Sequence, residues 1–198
     1  ITNGALRGAS SAQKRAAKEA TQQLRSAVSA FYLRRAASDI ARASLPPKTV
    51  HIVCCRMVDD QREAYEEACE LRDGGALATI QKLRALATRG PARNPLHEPS
   101  SGKLRVAFAL LQHLRETGSE RVVIASGSTA TLDVIQACCD ARRWDWLRVD
   151  GSTPPAERPR LVERFKSRTS NAFVFLLSTR AGGCGLNLVG GSRLLLLD

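Results

Sequence analysis

Apolar positions repeat at helical spacing through the first half of the chain and alternate between helical and strand patterns through the second. From about residue 10 to 43, Leu24, Val28 and Phe31 share one face, and the pattern predicts a helix that Leu45-Pro46-Pro47 must end. Thr49 to Cys54 is β-branched enough to predict one short strand. Asp59 and Asp60 then suit the start of a helix carrying Tyr65, Ala68 and Leu71, closed by Asp73-Gly74-Gly75. Leu77, Ile80, Leu83 and Ala87 stripe a further helix. Arg89 to Gly102, with three prolines and two glycines, reads as a linker.

Beyond Lys103 the period switches repeatedly. Leu104, Ala107, Leu111 and Leu114 mark a helix, and Arg121 to Ser126 a buried strand. Leu132, Ile135 and Cys139 mark the next helix, followed by a strand over Trp146 to Val149. Leu161, Val162 and Phe165 stripe a third helix before strands over Phe173 to Leu177 and from Arg193 to Asp198. Apolar strands separated by amphipathic helices predict an α/β fold, a parallel sheet with helices on both faces. The expected organisation is a mainly helical segment over residues 1–100 and an α/β lobe over 101–198.

Composition adds a partner class. Thirty Lys plus Arg against nineteen Asp plus Glu give a formal charge of +11, which favours a polyanion such as nucleic acid, or else serves as a solubilising surface. The longest apolar runs, Phe173 to Leu177 and Leu194 to Leu197, are too short to span a bilayer, so no membrane partner is expected. Six cysteines without a Cys-x-x-Cys read as small apolar residues in a reducing compartment. The start at Ile1 instead of Met suggests an excerpt of a longer protein.

In an open parallel sheet, ligands bind beyond the carboxyl ends of the strands. Three segments rich in Gly, Ser and Thr fall there: Ser126 to Thr129, Asp150 to Pro154 and Ser178 to Asn187. Small residues let a phosphate reach backbone amides, and a helix opening there adds its dipole. The alternative for each segment is an ordinary turn or helix cap. No G-x-x-x-x-G-K-[ST] occurs, and Gly182-Gly183-Cys184-Gly185 does not meet the dinucleotide spacing. No metal-binding cluster or Ser/His/Asp set stands out.

Asp150-Gly151-Ser152-Thr153, Arg158, the 162–165 stretch and Phe173 through Leu188 resemble helicase motifs of the Swi/Snf family of ATP-driven DNA translocases, as does Ser101-Gly102-Lys103-Leu104. Leu33-Arg34-Arg35, Asp39-Ile40, Leu45-Pro46-Pro47-Lys48, Gln61 and Tyr65 resemble the segment that joins the two lobes of that family. Val53-Cys54-Cys55-Arg56, together with Gly182-Gly183-Cys184-Gly185, is most similar to its recombination-repair (Rad-fifty-four-like) branch.

The resemblance implies that residues 101–198 form the second RecA-like lobe of a motor that moves along double-stranded DNA, in recombinational repair or chromatin remodelling, in the nucleus. It implies DNA-backbone contacts at Ser126, Ser152, Arg158, Ser178, Thr179 and Arg180, and nucleotide contacts at Gly185 and Asn187. ATP and Mg²⁺ would be held mainly by a first lobe that this sequence does not contain. No catalytic residue is expected here, because the arginine finger would follow Asp198. Partners would be that first lobe, duplex DNA, and a recombinase filament or a nucleosome.

Other readings stay open at this point. Arg158 could be solvated, Ser126 and Ser152 could cap helices, Gly185 could serve its backbone dihedrals, and Asn187 could bond within its loop. Trp144 and Trp146 are expected to pack rather than to stack on bases. The family usually has Asn or Gln where Gly127 stands, and Pro159 is expected to fall inside a helix at a cost of up to about 3 kcal/mol. Those two departures would suit a nucleic-acid-binding module that no longer hydrolyses ATP. An RNA helicase lobe is a further alternative.

Overall fold

The computed structural model describes residues 8–32, 48–71, 75–91, 99–118, 120–181 and 186–198. The Leu33-Arg34-Arg35, Asp39-Ile40 and Leu45-Pro46-Pro47 motifs, Asp73-Gly74, the centre of the linker, and Gly182 to Gly185 lie outside the described residues. The chain divides into two compact units, Ile1–Ile52 and Val53–Asp198.

The first unit contributes α1 (Ser11–Val28). Ser10 opens it with a reciprocal cap: its hydroxyl accepts from the Gln13 amide, and the Gln13 side chain accepts from the Ser10 amide. The helix ends at Val28, well before residue 43, and the remainder of the expected span falls mostly outside the described residues.

The second unit begins with irregular chain over 53–58, so the strand expected from Thr49 to Cys54 does not form. β-Branched content favours a strand only where a neighbouring strand completes the ladder, and this segment joins no strand of the sheet. A helical hairpin follows, α2 (Asp59–Leu71) and α3 (Gly75–Arg89). It is tied to the start of α4 (Gly102–Thr117) by buried polar contacts. Gln61, 1% exposed, donates from Nε2 to the Leu86 and Ala87 carbonyls (2.7 and 3.2 Å) and accepts the Gly102 amide at 3.0 Å. Ser101 donates to the Thr88 carbonyl at 2.6 Å and caps α4 by accepting from the Leu104 amide. Gly102 must be glycine: a Cβ there would stand 1.8 Å from the Arg56 carbonyl oxygen.

The sheet comprises β1 (Val122–Ser126), β2 (Trp146–Val149), β3 (Val174–Ser178) and β4 (Arg193–Leu196), all parallel in the order β2-β3-β1-β4. Between them run α5 (Thr129–Ala141) and α6 (Arg158–Lys166). Helices α4 and α5 cover one face, where Leu104, Leu111, Leu132, Ile135 and Cys139 pack on Val122, Ile124, Val174 and Leu176. Helix α6 covers the other, where Val162 and Phe165 meet Val123, Leu147, Val149 and Phe175. The alternation along β1 sends Val122 and Ile124 to one layer and Val123 to the other, as a strand buried on both faces requires. Trp144 stacks on Phe108 and meets Phe173 edge-on, so it packs.

One expectation changes with α6 in view. Pro159 occupies the opening turn of the helix, where its missing N–H has no intrahelical partner to lose. The expected penalty does not arise. Of the cysteines, Cys138 and Cys139 pack as apolar residues, and burial pushes the Cys139 thiol up to about 12, whereas Cys54 and Cys69 are exposed.

Candidate nucleic-acid interface

The carboxyl ends of β1 and β3 lie side by side, because Ser126 pairs with Ser178 and the Thr179 amide donates to the Ser126 carbonyl at 3.1 Å. Parallel pairing in this register delivers Gly127 and Thr179 to the rim together. A Cβ placed on Gly127 would lie 3.5 Å from Thr179 Oγ1 and 3.4 Å from Asp198 Oδ2. The Gly127 amide donates to both carboxylate oxygens of Asp198, each at 3.0 Å. This amide therefore already serves an anionic group.

The serines differ sharply in access. Ser126 and Ser178 are buried, at 0% and 2% exposure, and form the floor of the rim. The Ser126 hydroxyl is engaged with the Ser128 amide and carbonyl, and the capping of α5 falls to Ser128, which accepts from the Thr131 amide. Ser152 is exposed at the tip of a turn closed by the Thr153 amide on the Asp150 carbonyl (3.2 Å). Its own amide and hydroxyl donate to Asp150 Oδ1, at 2.9 and 2.6 Å. It does not cap α6, which begins six residues later with no side-chain cap.

Thr179 and Arg180 are exposed at the two central positions of a second turn, closed by the Ala181 amide on the Ser178 carbonyl at 3.1 Å. Arg158 is half-buried and bonded to three backbone carbonyls, those of Ala181 (2.8 Å), Thr153 (3.0 Å) and Asp150 (3.5 Å). The solvated reading of this residue does not hold, since its donors are directed inward. Asn187 is exposed between β3 and β4, and Gly185 lies outside the described residues.

Sequence reasoning missed the network beneath the Ser152 turn. Arg148 on β2 bonds Asp150 (2.7 Å), Asp133 (2.6 Å) and Gln136 (3.0 Å), joining the strand to α5. The Ser152 hydroxyl, with its amide and Arg148, holds the Asp150 carboxyl down to about 2 in spite of its burial. Burial works against the Arg148 charge, but its bonds to Asp133 and Asp150 more than offset that and raise its pKa. A polar residue two positions before an aspartate, amid apolar strand residues, was the available signal. Lys103, noted only as part of a motif, donates to the Leu197 carbonyl at 2.7 Å and so ties α4 to the end of β4.

Comparison with known proteins places this architecture. The SNF2-related domain matches residues 7–123, and the helicase conserved C-terminal domain matches 103–198. The chain belongs to the SNF2-related family. This SNF2-related chain is 34% identical to the DNA repair and recombination protein RAD54-like of Homo sapiens, over 100% of its own length and 31% of that protein. It thus spans about a third of that relative. Among solved structures, the C-terminal part of the Fun30 ATPase domain aligns with TM-score 0.67 at 20% identity, covering 78% of this chain and 76% of that one. The Sulfolobus solfataricus SWI2/SNF2 ATPase core in complex with dsDNA aligns with TM-score 0.63 at 21% identity, covering 89% and 41%. At these identities the structural likeness establishes the RecA-like fold. Among the described residues no helix is long and apolar enough to cross a membrane.

Proposed function

We propose that this chain is the second motor lobe of an ATP-dependent double-stranded DNA translocase acting in recombinational DNA repair or chromatin remodelling in the nucleus. On this reading residues 101–198 are the lobe and the helices before them belong to the segment joining it to the first lobe. The observation that carries the proposal is the exposed turn of Thr179 and Arg180 beside the Ser152 turn, in a chain of charge +11 that resembles a RAD54-like protein along its whole length. The RAD54-like name supports the repair role, and the DNA-bound SWI2/SNF2 neighbour supports duplex DNA as the track.

Within the rim, Thr179, Arg180 and Ser152 would be the residues to meet phosphates directly, a reading supported by the exposure of all three. Ser126 and Ser178, buried beneath them, would act by fixing where the turns leave the sheet. Phosphate contacts carry no sequence information, which suits a motor that travels over any sequence. Asn187 is the described residue that would face the nucleotide. Among the described residues no His, Cys, Asp and Glu cluster fits a metal ion; on this reading ATP and Mg²⁺ would be held mainly by the other lobe. The lobe would then work only within the assembled motor, with a recombinase filament or nucleosome as further partner. The position of Pro159 in the opening turn removes one of the two departures that favoured a module unable to hydrolyse ATP.

The test is duplex-DNA affinity of this chain across a salt series, beside Thr179→Ala and Arg180→Ala. Each phosphate contact contributes about 0.9 to the slope of log affinity against log salt, so Arg180→Ala should make the slope shallower by about one. Thr179→Ala should weaken binding equally on unrelated sequences. Two variants that bind as the parent does would remove the rim from consideration as the DNA track.

A further inference from the structure

Arg158 leaves the first turn of α6 at a point where two other turns converge. One is Asp150 to Thr153, with Ser152 at a central position, and the other is Ser178 to Ala181, with Thr179 and Arg180 at its centre. The guanidinium donates to the closing residue of each: Nε to Thr153 O at 3.0 Å, and Nη1 to Ala181 O at 2.8 Å. Nη2 faces Asp150 O at the longer distance of 3.5 Å. One side chain therefore joins the exits of β2 and β3 through main-chain oxygens alone.

We propose that Arg158 is a positioning residue: it clamps the two turns that present Ser152, Thr179 and Arg180 to DNA and contributes no phosphate contact of its own. The proposal rests on the rim being the DNA track. Its chemistry follows from the fork of the guanidinium, whose donors point in fixed and different directions and so span acceptors on separate loops. An ammonium is a point donor on a flexible stem. It satisfies a phosphate well but cannot bridge the same carbonyls together. Lysine at 158 thus keeps the charge and loses the clamp, which separates positioning from direct contact.

The experiment measures duplex-DNA affinity against salt for Arg158→Lys in the parent chain and in the Arg180→Ala background, with a thermal melt of each variant. Hydrogen exchange at the Thr153 and Ala181 amides is followed without DNA. With the clamp lost, Arg158→Lys lowers the salt slope by about one in the parent, because the Arg180 contact is no longer held in place. It then lowers the slope no further in the Arg180→Ala background, the non-additivity expected of residues acting as one unit. Exchange at both amides rises by about tenfold, as when a local opening loses roughly one hydrogen bond of protection.

A direct phosphate contact predicts otherwise: Arg158→Lys keeps the parent slope and the amides exchange as before. That result overturns the proposal. A merely structural loss moves the melt and the fraction able to bind but leaves the slope of the folded protein unchanged, and this too overturns it. If Thr179→Ala and Arg180→Ala bind like the parent, the DNA-track reading fails separately. The clamp between the turns is then judged by exchange alone, with raised exchange supporting it and unchanged exchange ending it.

Discussion

Replacing Gln61 with leucine tests the junction between the helical hairpin and the α/β layers. Leucine is of similar size but lacks both polar groups, so the loss comes chiefly from hydrogen bonds. The Gly102 amide sits in the first turn of α4, is buried, and has the Gln61 oxygen as its partner at 3.0 Å. Left bare, such a donor costs about 1–3 kcal/mol. The Ala87 carbonyl loses its 3.2 Å bond, whereas the Leu86 carbonyl keeps the Gly90 amide at 3.0 Å and the half-buried Val58 amide can turn to water. Two orphaned groups at about 1–3 kcal/mol each, less about 2 kcal/mol gained by burying an apolar side chain, centre the net loss at about 2 kcal/mol.

Urea unfolding followed by tryptophan emission reports on the right unit, since Trp144 is buried in the sheet core. With a denaturant slope near 2 kcal/mol per molar, the midpoint should fall by about 1 M. Gln61→Glu keeps an acceptor for Gly102 but turns an oxygen toward the Leu86 and Ala87 carbonyls, and should lose at least as much. If Gln61→Leu unfolds within about 0.5 kcal/mol of the parent, the junction does not couple the hairpin to the sheet and this reasoning is wrong.

Other measurements probe the same structure. Asp150 has its pKa depressed to about 2 by Ser152 and Arg148, so its contribution is complete above the unfolded carboxylate value and fades as pH falls toward about 2. Asp150→Asn should therefore be less stable than the parent at neutral pH, with the gap closing between roughly pH 4 and 2 in melts run across that range. Gly102→Ala should be severely destabilised or fail to fold, because Arg56 O stands 1.8 Å from the new Cβ. Gly127→Ala meets only ordinary contacts at 3.4 and 3.5 Å, and its melting temperature should stay near that of the parent.

The elements of the lobe were legible because their periods were clean. The β2 strand, Trp146–Val149, matches its apolar pattern, and Leu132, Ile135 and Cys139 are all buried on α5. The strand expected at residues 49–54 was not, because local β propensity carries no information about whether a neighbour will pair with it. Leu77, Ile80, Leu83 and Ala87 marked a helix that does form, although Leu77 and Ile80 are exposed at 71% and 48%. Of the site, the grouping of the three small-residue segments on one rim was readable from the order of strands and loops. The inward engagement of Arg158 was not, since its acceptors are backbone atoms from separate loops. Backbone carbonyls look the same from every residue, so no motif announces them. The Arg148 network was hidden likewise, its partners being spread over β2, α5 and the following turn.

The junction built on Gln61 and Gly102, with α3 also lying against α5, makes the hairpin an arm carried by the helices on one face of the sheet. Helix α3 has 15 residues, so it reaches about 22 Å from its base at 1.5 Å per residue. A rotation of the lobe by roughly 10° would sweep the far end of such an arm through about 4 Å. The same geometry works in reverse. A small force applied at the far end of the hairpin exerts a large torque on the strands that carry the rim, so the hairpin is a handle as well as a pointer.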